Sequence, residues 1–422
     1  MALYGATIGK LGIFQFEAAT NQACANVLPK QDLVETKYLF YYLLAERDAF
    51  INLGQGGAQP NISQGIVREH PFPLAPLAEQ RRIVTKVEAL LAKVNANQER
   101  LERIPTILKR FRQAVLAAAC DGRLTEEWRG QNPQVQSALD LLGIIRSARQ
   151  AQATTGRRSQ IAAVSILELV GESRPDDPIP ASWVWVRFGD LIGELRNGIS
   201  TRPEMGPPGV PILRISAVRG GSVDLDEIRY LLTGEEHLPV SALKDGDLLF
   251  TRYNGSLELL GVCGMVRGIA ERTVLYPDKL MRVRFDHEAV SPPFTEIFFQ
   301  VPKVHERITE RSKSSAGQNG VSGSDIKDQP FTLPPLKEQQ EIVRRVDELF
   351  AFADQIEARY TKAKAQVDRL TQSILAKAFR GELVPQDPND EPAASLLERM
   401  KSCSAIDLSP SKRRGRPAKP KG

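Results

Sequence analysis

The chain predicts an α+β fold in which two unlike globular segments are each followed by a long helix of one design. Three observations carry this expectation. A proline-flanked decapeptide occurs twice, heptad spacing follows each copy, and the stretch between the copies breaks into short β-type runs divided by Gly and Pro.

The repeat opens with Pro71-Phe72-Pro73-Leu74-Ala75-Pro76-Leu77-Ala78-Glu79-Gln80. It returns as Pro330-Phe331-Thr332-Leu333-Pro334-Pro335-Leu336-Lys337-Glu338-Gln339. The match continues without a gap to Gly122-Arg123-Leu124 and Gly381-Glu382-Leu383, with roughly 20 of about 54 positions identical, so each copy is one structural unit.

After the decapeptide, Val87, Val94, Leu101, Leu108 and Val115 fall every seventh residue, with Ile83, Leu90, Ile104 and Phe111 at the complementary positions. The second copy repeats the pattern with Val346, Ala353, Tyr360, Val367 and Ile374, and with Ile342, Leu349, Ile356 and Leu370. Sustained heptads mark a coiled-coil seam. A helix of about 43 residues from Leu77 to Ala119 would be about 65 Å long. Pro76 and Pro335 suit a helix start, and Gly122 and Gly381 suit its end. Pro105 removes a hydrogen bond and should kink or interrupt the first rod. Two matched seams in one chain are natural partners; the alternative is that each helix packs only on its own globular segment.

Composition narrows the classes. At 422 residues the chain has room for two to four domains with real cores. Its four cysteines, Cys24, Cys120, Cys263 and Cys403, form no CxxC pair, which favours a reducing, cytoplasmic location and disfavours structural zinc. No apolar run reaches membrane-spanning length. A net charge of +5 is weak support for nucleic-acid binding. The first rod is more telling, with Arg81, Arg82, Lys86, Lys93, Arg100, Arg103, Lys109, Arg110 and Arg112 against few acids.

Between the rods, Gln131 to Gly171 reads as helical or loosely ordered with no clear seam, and Pro175 to Pro180 breaks the chain. Strands are expected at Val184–Val186, Val210–Ile215, Asp247–Arg252, Gly261–Val266 and Leu280–Phe285, with a helix over Pro293–Thr309.

The Pro-Leu-x-Pro-Leu-x-Glu-Gln-x-x-Ile-Val opening, the long helix and its Ala-x-Gly-x-Leu exit, occurring twice, resemble the conserved regions of specificity subunits of type I restriction-modification systems. Trp183-Val184-Trp185-Val186-Arg187-Phe188-Gly189-Asp190-Leu191 looks like the start of a target recognition domain of that family. Tyr4-Gly5-Ala6-Thr7-Ile8-Gly9-Lys10-Leu11-Gly12 with Asn21-Gln22-Ala23 looks like the middle of another. The resemblance implies two recognition domains, each reading half of a split site in double-stranded DNA, separated by two long helices forming an antiparallel coiled coil. It also implies a non-catalytic subunit without cofactor. S-adenosylmethionine, ATP and magnesium belong to modification (methyltransferase) and restriction (motor-nuclease) subunits docked on it. The implied segments are 1–70, the C-terminal part of a first recognition domain; 71–125, the first helix; 126–180, a linker; 181–330, the second recognition domain; 331–385, the second helix; and 386–422, a disordered basic tail.

The first recognition domain reads as incomplete. If Gly12 matches Gly261, residue 1 falls near Leu249 or Phe250, and about 70 residues of domain, including a counterpart of the Trp-Val-Trp-Val strand, are expected upstream.

Candidate base-reading residues are Arg214, Arg219, Arg252, Tyr253, Asn254 and Ser256, since Arg suits guanine and Asn suits adenine in the major groove. A second group is Gln318 and Asn319 in the loop Ser314–Gly320, matched by Gln59 and Asn61; Thr7 and Lys10 complete the set. Each arginine could equally be an ion-paired surface residue. Gly5–Leu11 imitates a phosphate-binding loop, but it is one residue short and lacks the Ser/Thr that holds magnesium, so a tight turn is expected. His70, His237, His287 and His305 lack metal-ligand spacing, and no motif for amino-methyl transfer or nuclease chemistry is present. Arg-Gly-Arg-Pro at 414–417 resembles an AT-hook core, with a nonspecific basic tail as the simpler reading. A non-DNA coiled-coil scaffold spacing two protein-binding domains is the alternative from another class.

Overall fold

The computed structural model describes residues 1–54, 61–154, 178–204, 206–232, 238–315 and 318–406. The tail at 386–422 is thus described only to residue 406, and its AT-hook-like stretch lies outside the described residues, as do Pro175–Asp177, His237 and Gln59. Two compact units emerge. One comprises Met1–Ile104 with Ala358–Gly422, the other Pro105–Glu357.

The first unit starts with an extended segment in which Ala2 bridges Cys24 antiparallel. Helices α1 (Thr36–Ala45), α2 (Arg47–Leu53) and α3 (Gln64–Glu69) follow. Leu3, Ala25, Tyr42, Leu43, Phe50 and Ile62 close a small core. The decapeptide then leads into α4 (Leu77–Glu102). Pro105 does interrupt the rod: after Arg103 the chain restarts as α5 (Ile104–Cys120), which belongs to the second unit from Pro105 on.

In the second unit, α6 (Glu126–Gln131) and α7 (Ala138–Thr154) precede the β-rich domain. The stretch read as lacking a seam has one: Ala138, Leu141, Leu142 and Ile145 of α7 are buried in the core. The strands are β1 (Val184–Arg187), β2 (Glu194–Asn197), β3 (Val210–Leu213), β4 (Val218–Arg219), β5 (Ser222–Val223), β6 (Ile228–Leu231), β7 (Leu248–Thr251), β8 (Tyr253–Asn254), β9 (Cys263–Met265), β10 (Leu280–Arg284), β11 (Lys313–Ser315), β12 (Gln318–Gly320) and β13 (Pro330–Leu333). A four-stranded antiparallel sheet runs β2-β10-β7-β9, and β1 pairs with β13. Short helix α8 (Leu238–Ser241) precedes β7. The single helix expected over Pro293–Thr309 is two, α9 (Pro292–Phe299) and α10 (Pro302–Glu310), because Pro302 cannot continue α9. Then come α11 (Gly323–Lys327), the unbroken 44-residue α12 (Leu336–Phe379) and α13 (Ala393–Ile406).

The helices pair antiparallel, as contacts inside each unit show. In the first unit Ile83, Val84 and Val87 pack with Leu375 and Ala378, Arg82 bonds Asp390 at 2.6 Å, and further along α4 Gln98 meets Asp368. In the second, Arg112 bonds Asp354 and Glu357 at 2.7 Å, and Val115, Leu116 and Ala119 share the core with Ile342 and Val346. Position rises along one helix as it falls along the other. Of the expected seam, Ile83, Val87, Val94, Leu108, Val115, Ile342, Val346 and Ala353 are buried. Leu90, Leu101, Ile104, Phe111, Leu349, Ile356, Tyr360, Val367 and Ile374 are half-buried. Leu370 is a correction: it is 41% exposed, while Leu375 and Ala378 are buried. A strict seven-residue spacing drifts against a 3.6-residue turn, so the buried stripe has moved one residue on by the end of α12. Gly122 (φ 85°) and Gly381 (φ 73°) close the helices in the left-handed conformation expected of them.

Each helix is fastened to its own globular part by one buried glutamine. Gln339 Oε1 accepts from Ser291 N at 2.8 Å, and its Nε2 donates to Ala289 O (3.2 Å) and Pro334 O (2.9 Å). Gln80 makes the same three bonds, with Glu35 N (2.8 Å), Leu33 O (3.0 Å) and Ala75 O (2.8 Å). Beside Gln339, Glu338 accepts from Thr125 Oγ1 (2.7 Å), the Arg129 guanidinium and Trp183 Nε1 (2.9 Å). Replacing Gln339 by Leu leaves three buried polar groups unpaired, so we expect a loss of about 3 kcal/mol from the second unit. Urea unfolding followed by Trp183 and Trp185 fluorescence checks this; a loss below about 1 kcal/mol contradicts the fastening role.

Candidate nucleic-acid interface

Two groups of candidates far apart in sequence meet in one small sheet. β8 carries Tyr253 and Asn254, and it pairs antiparallel with β12, Asn319 opposite Asn254 and Gly320 opposite Tyr253. β12 turns back on β11, so the three-stranded order is β11-β12-β8. Arg252 just precedes β8; its carbonyl accepts from Val321 N at 3.0 Å and its N–H donates to Lys279 O at 2.8 Å. These bonds tie the Arg252 backbone to Lys279, the residue before β10, and to Val321, the residue after β12, and leave its side chain to other uses.

The Arg252 guanidinium lies 4.7 Å from the centre of the Tyr253 ring, held by cation–π attraction. Among the described residues it has no ion-pair partner, so its planar fork of donors is not engaged. Asn254 Oδ1 accepts from Ser256 N at 3.0 Å, shaping the turn, while its amide donors remain. Ser256 is exposed. Asn319 is half-buried, and of Gln318 the backbone pairing with Ser315 is described.

Arg214 and Arg219 lie elsewhere. Arg214 follows β3 and pairs with Glu227 at 3.3 Å, which makes it an ion-paired residue rather than a free donor. Exposed Arg219 on β4 donates to Ser216 O at 3.1 Å. Of the basic residues on the first rod, Arg81, Arg82 and Arg112 are taken by Glu35, by Asp390, and by Asp354 with Glu357. The described histidines bond within the protein: His287 to Leu191 O at 2.8 Å, His305 to Leu260 O at 2.9 Å, and His70 to Glu46 at 3.3 Å. Burial pushes the Cys263 thiol well above its usual range, which suits a core residue rather than a nucleophile.

The first unit repeats the frame. Ile62 N donates to Leu3 O at 2.8 Å, as Val321 N does to Arg252 O, so Leu3 and Tyr4 stand where Arg252 and Tyr253 stand. The turn between is shorter. Gly9 N donates to Ala2 O as Gly261 N donates to Thr251 O, and both glycines have φ near +70°. Gly9, not Gly12, is therefore the counterpart of Gly261. Gly5–Thr7 form a 3-10 turn, leaving Thr7 and Lys10 exposed, and Asn61 is exposed beside Ile62. Tyr4, 39% exposed, is the residue that sequence reasoning missed. The shared tyrosine, followed by glycine at once in Tyr4-Gly5 and one residue later in Tyr253-Asn254-Gly255, was obscured by the different turn lengths.

A Cβ on Gly320 would come within 2.7 Å of the Tyr253 ring. Gly320→Ala should displace the ring and cost about 1–3 kcal/mol. An unchanged urea midpoint would show that the ring moves aside freely.

With this geometry in view, comparisons with known proteins place the chain. The family described as "Type I restriction modification DNA specificity domain" matches residues 2–106 and 209–365. The chain is 41% identical over 397 residues to the type I restriction enzyme EcoKI specificity subunit of Escherichia coli K12, covering 92% of this chain and 75% of that protein. It is 31% identical over 407 residues to the StySPI specificity subunit of Salmonella potsdam, covering 93% and 76%. A solved chain from work on complex assembly and conformational transition of the type I R-M system shares the fold, with TM-score 0.55 and 19% identity over 84% of this chain and 73% of that one. Among the described residues no helix is long and apolar enough to cross a membrane. The chain belongs to the DNA specificity subunits of type I restriction-modification enzymes.

Proposed function

We propose that this subunit reads a bipartite site in double-stranded DNA and is the platform on which modification and restriction subunits dock. The convergence of Arg252, Tyr253, Asn254 and Asn319 on the β11-β12-β8 sheet carries the reading for one half-site. Four side chains suited to base edges or stacking come from two loops, and the most strongly charged of them is held in place yet unpaired. Arg252 would address a guanine, and Asn254 or Asn319 an adenine. Tyr4, Thr7, Lys10 and Asn61 lie on the matching frame in the first unit and would serve the other half. The antiparallel helices would fix the unread spacer. S-adenosylmethionine, ATP and magnesium would act on the docked subunits.

Arg252→Ala and Asn254→Ala in the assembled complex should each change preference at one base position of one half-site, by about 1–3 kcal/mol. Mapping methylated bases over a randomised library measures this. A uniform fall across all sequences would assign these residues a phosphate or structural role. DNA affinity should also fall steeply with salt; a flat salt response would favour the protein-binding scaffold instead.

A further inference from the structure

The chain between β7 and β9 is closed at its base by one buried threonine. The Thr251 carbonyl accepts from Gly261 N at 2.9 Å, and its Oγ1 accepts from Val262 N at 3.0 Å while donating to Leu259 O at 2.5 Å. Within the loop, Leu259 N donates to Ser256 O and Leu260 N to Leu257 O, each at 3.2 Å, which winds Leu257–Leu259 into a 3-10 turn. Leu260 is fully buried and anchors the turn in the core, and a Cβ on Gly261 would come within 2.6 Å of Ile308. On this fixed backbone Leu257 is left 49% exposed.

The same 3-10 turn forms in the first unit without that side chain. Ile8 N donates to Gly5 O at 3.1 Å, as Leu260 N does to Leu257 O. Counting back from the left-handed Gly9 and Gly261, Ile8 stands for Leu260 and Gly5 for Leu257. A glycine at that place means that the turn does not require a leucine. A single exposed leucine is ordinary on a protein surface. This one follows Ser256 directly, and Ser256 N is bonded to the side chain of Asn254 at 3.0 Å, so an apolar group stands among the polar candidates of the reading loop. In the major groove the base pairs present hydrogen-bonding groups and one apolar group, the C5-methyl of thymine.

We propose that Leu257 is a specificity-determining residue that reads the C5-methyl of a thymine in the half-site addressed by Arg252 and Asn254. The inference rests on the reading of the β11-β12-β8 sheet as a DNA surface. Contact takes the methyl and the exposed part of the leucine out of water together. A cytosine at that place has no methyl and sets an amine donor beside a side chain that cannot accept from it, so the amine is dried without a partner. Leu257 thus discriminates by an apolar contact where its neighbours discriminate by hydrogen bonds.

The test uses the assembled complex of this subunit with its modification and restriction subunits, on duplexes carrying its mapped site. Deoxyuridine replaces one thymine at a time; it keeps every hydrogen-bonding group of thymine and lacks only the methyl. Binding should weaken about fourfold at one position of the half-site that Arg252→Ala alters, the worth of one buried methyl. Leu257→Ala should bind thymine and deoxyuridine alike at that position, and Leu257→Met, which keeps an apolar contact, should retain the preference. Equal affinity for the two bases at every position overturns the proposal, as does a half-site without an A·T pair. So does a deoxyuridine effect that persists in full in Leu257→Ala, or a uniform fall of that variant on all sequences, the mark of a wedge between base pairs or of a structural role. The thymine and deoxyuridine comparison needs only the unaltered protein, so it decides even if a variant folds poorly. If Arg252→Ala changes no base preference, the assignment of the sheet to DNA reading falls. If Arg252→Ala shifts a base and the deoxyuridine effect is absent, the assignment of Leu257 alone falls.

Discussion

The structure depends on one buried amide at the start of each long helix. Gln80 and Gln339 each carry an acceptor and a donor pair on a single rigid plane, and each meets one N–H and two carbonyls. A glutamate would set a second acceptor against two carbonyls, and a leucine would leave all three groups dry and unpaired. Because two of the three partners belong to the segment before α1 or α9 and the third to the decapeptide, the amide fixes where the helix begins relative to its globular part. The aromatic stacking of Phe72 and Phe331 follows from that alignment, as does the place of the carboxylate one residue earlier. In the second unit Glu338 then ties the exit of α5, through Thr125 and Arg129, to the opening of the β domain, through Trp183.

The parts of this fold governed by local periodicity were legible in the chain. Heptads at Val87, Val94, Leu108, Ile342 and Val346 do mark buried positions, because a side chain's face on a helix follows from spacing alone. Pro105 interrupts its helix for an equally local reason, whereas the break at Pro302, just as local, was overlooked when one helix was expected over Pro293–Thr309. The misreadings have physical causes. Leu370 lies at the far end of a 44-residue helix, where the drift between 3.5 and 3.6 residues per turn has accumulated. The burial of α7 was hidden because Leu139, Leu141, Leu142, Ile144 and Ile145 crowd its first turns without a single repeating stripe, and which of them become core is decided by α5 and the β domain that cover them.

The candidate reading surface was legible as residue types, not as an assembly. Nothing local in 252–256 or 318–320 says that the two segments pair; β8 and β12 are short, and their meeting is a long-range event. Nor does composition separate Arg252 from Arg214. That distinction rests on Glu227, which neutralises one of them, and on the Tyr253 ring, which orients the other without consuming its hydrogen-bond donors.

The two units also separate frame from content. The bonds that define the frame run through backbone atoms: Ile62 N to Leu3 O, Val321 N to Arg252 O, Gly9 N to Ala2 O and Gly261 N to Thr251 O. Such backbone bonds hold whichever side chain stands there, even where that side chain, like Leu3, also belongs to the core. The pair Leu3 and Arg252 shows it, an aliphatic and a guanidinium on the same backbone hydrogen bond. The left-handed glycines at 9 and 261 are the exception, since their positive φ is part of the turn itself. A surface built this way can change what it recognises by substitution at a few positions, while the glutamine-anchored helices that carry it keep their packing. That division of labour accounts for a chain whose helices are visibly two copies and whose globular segments are not.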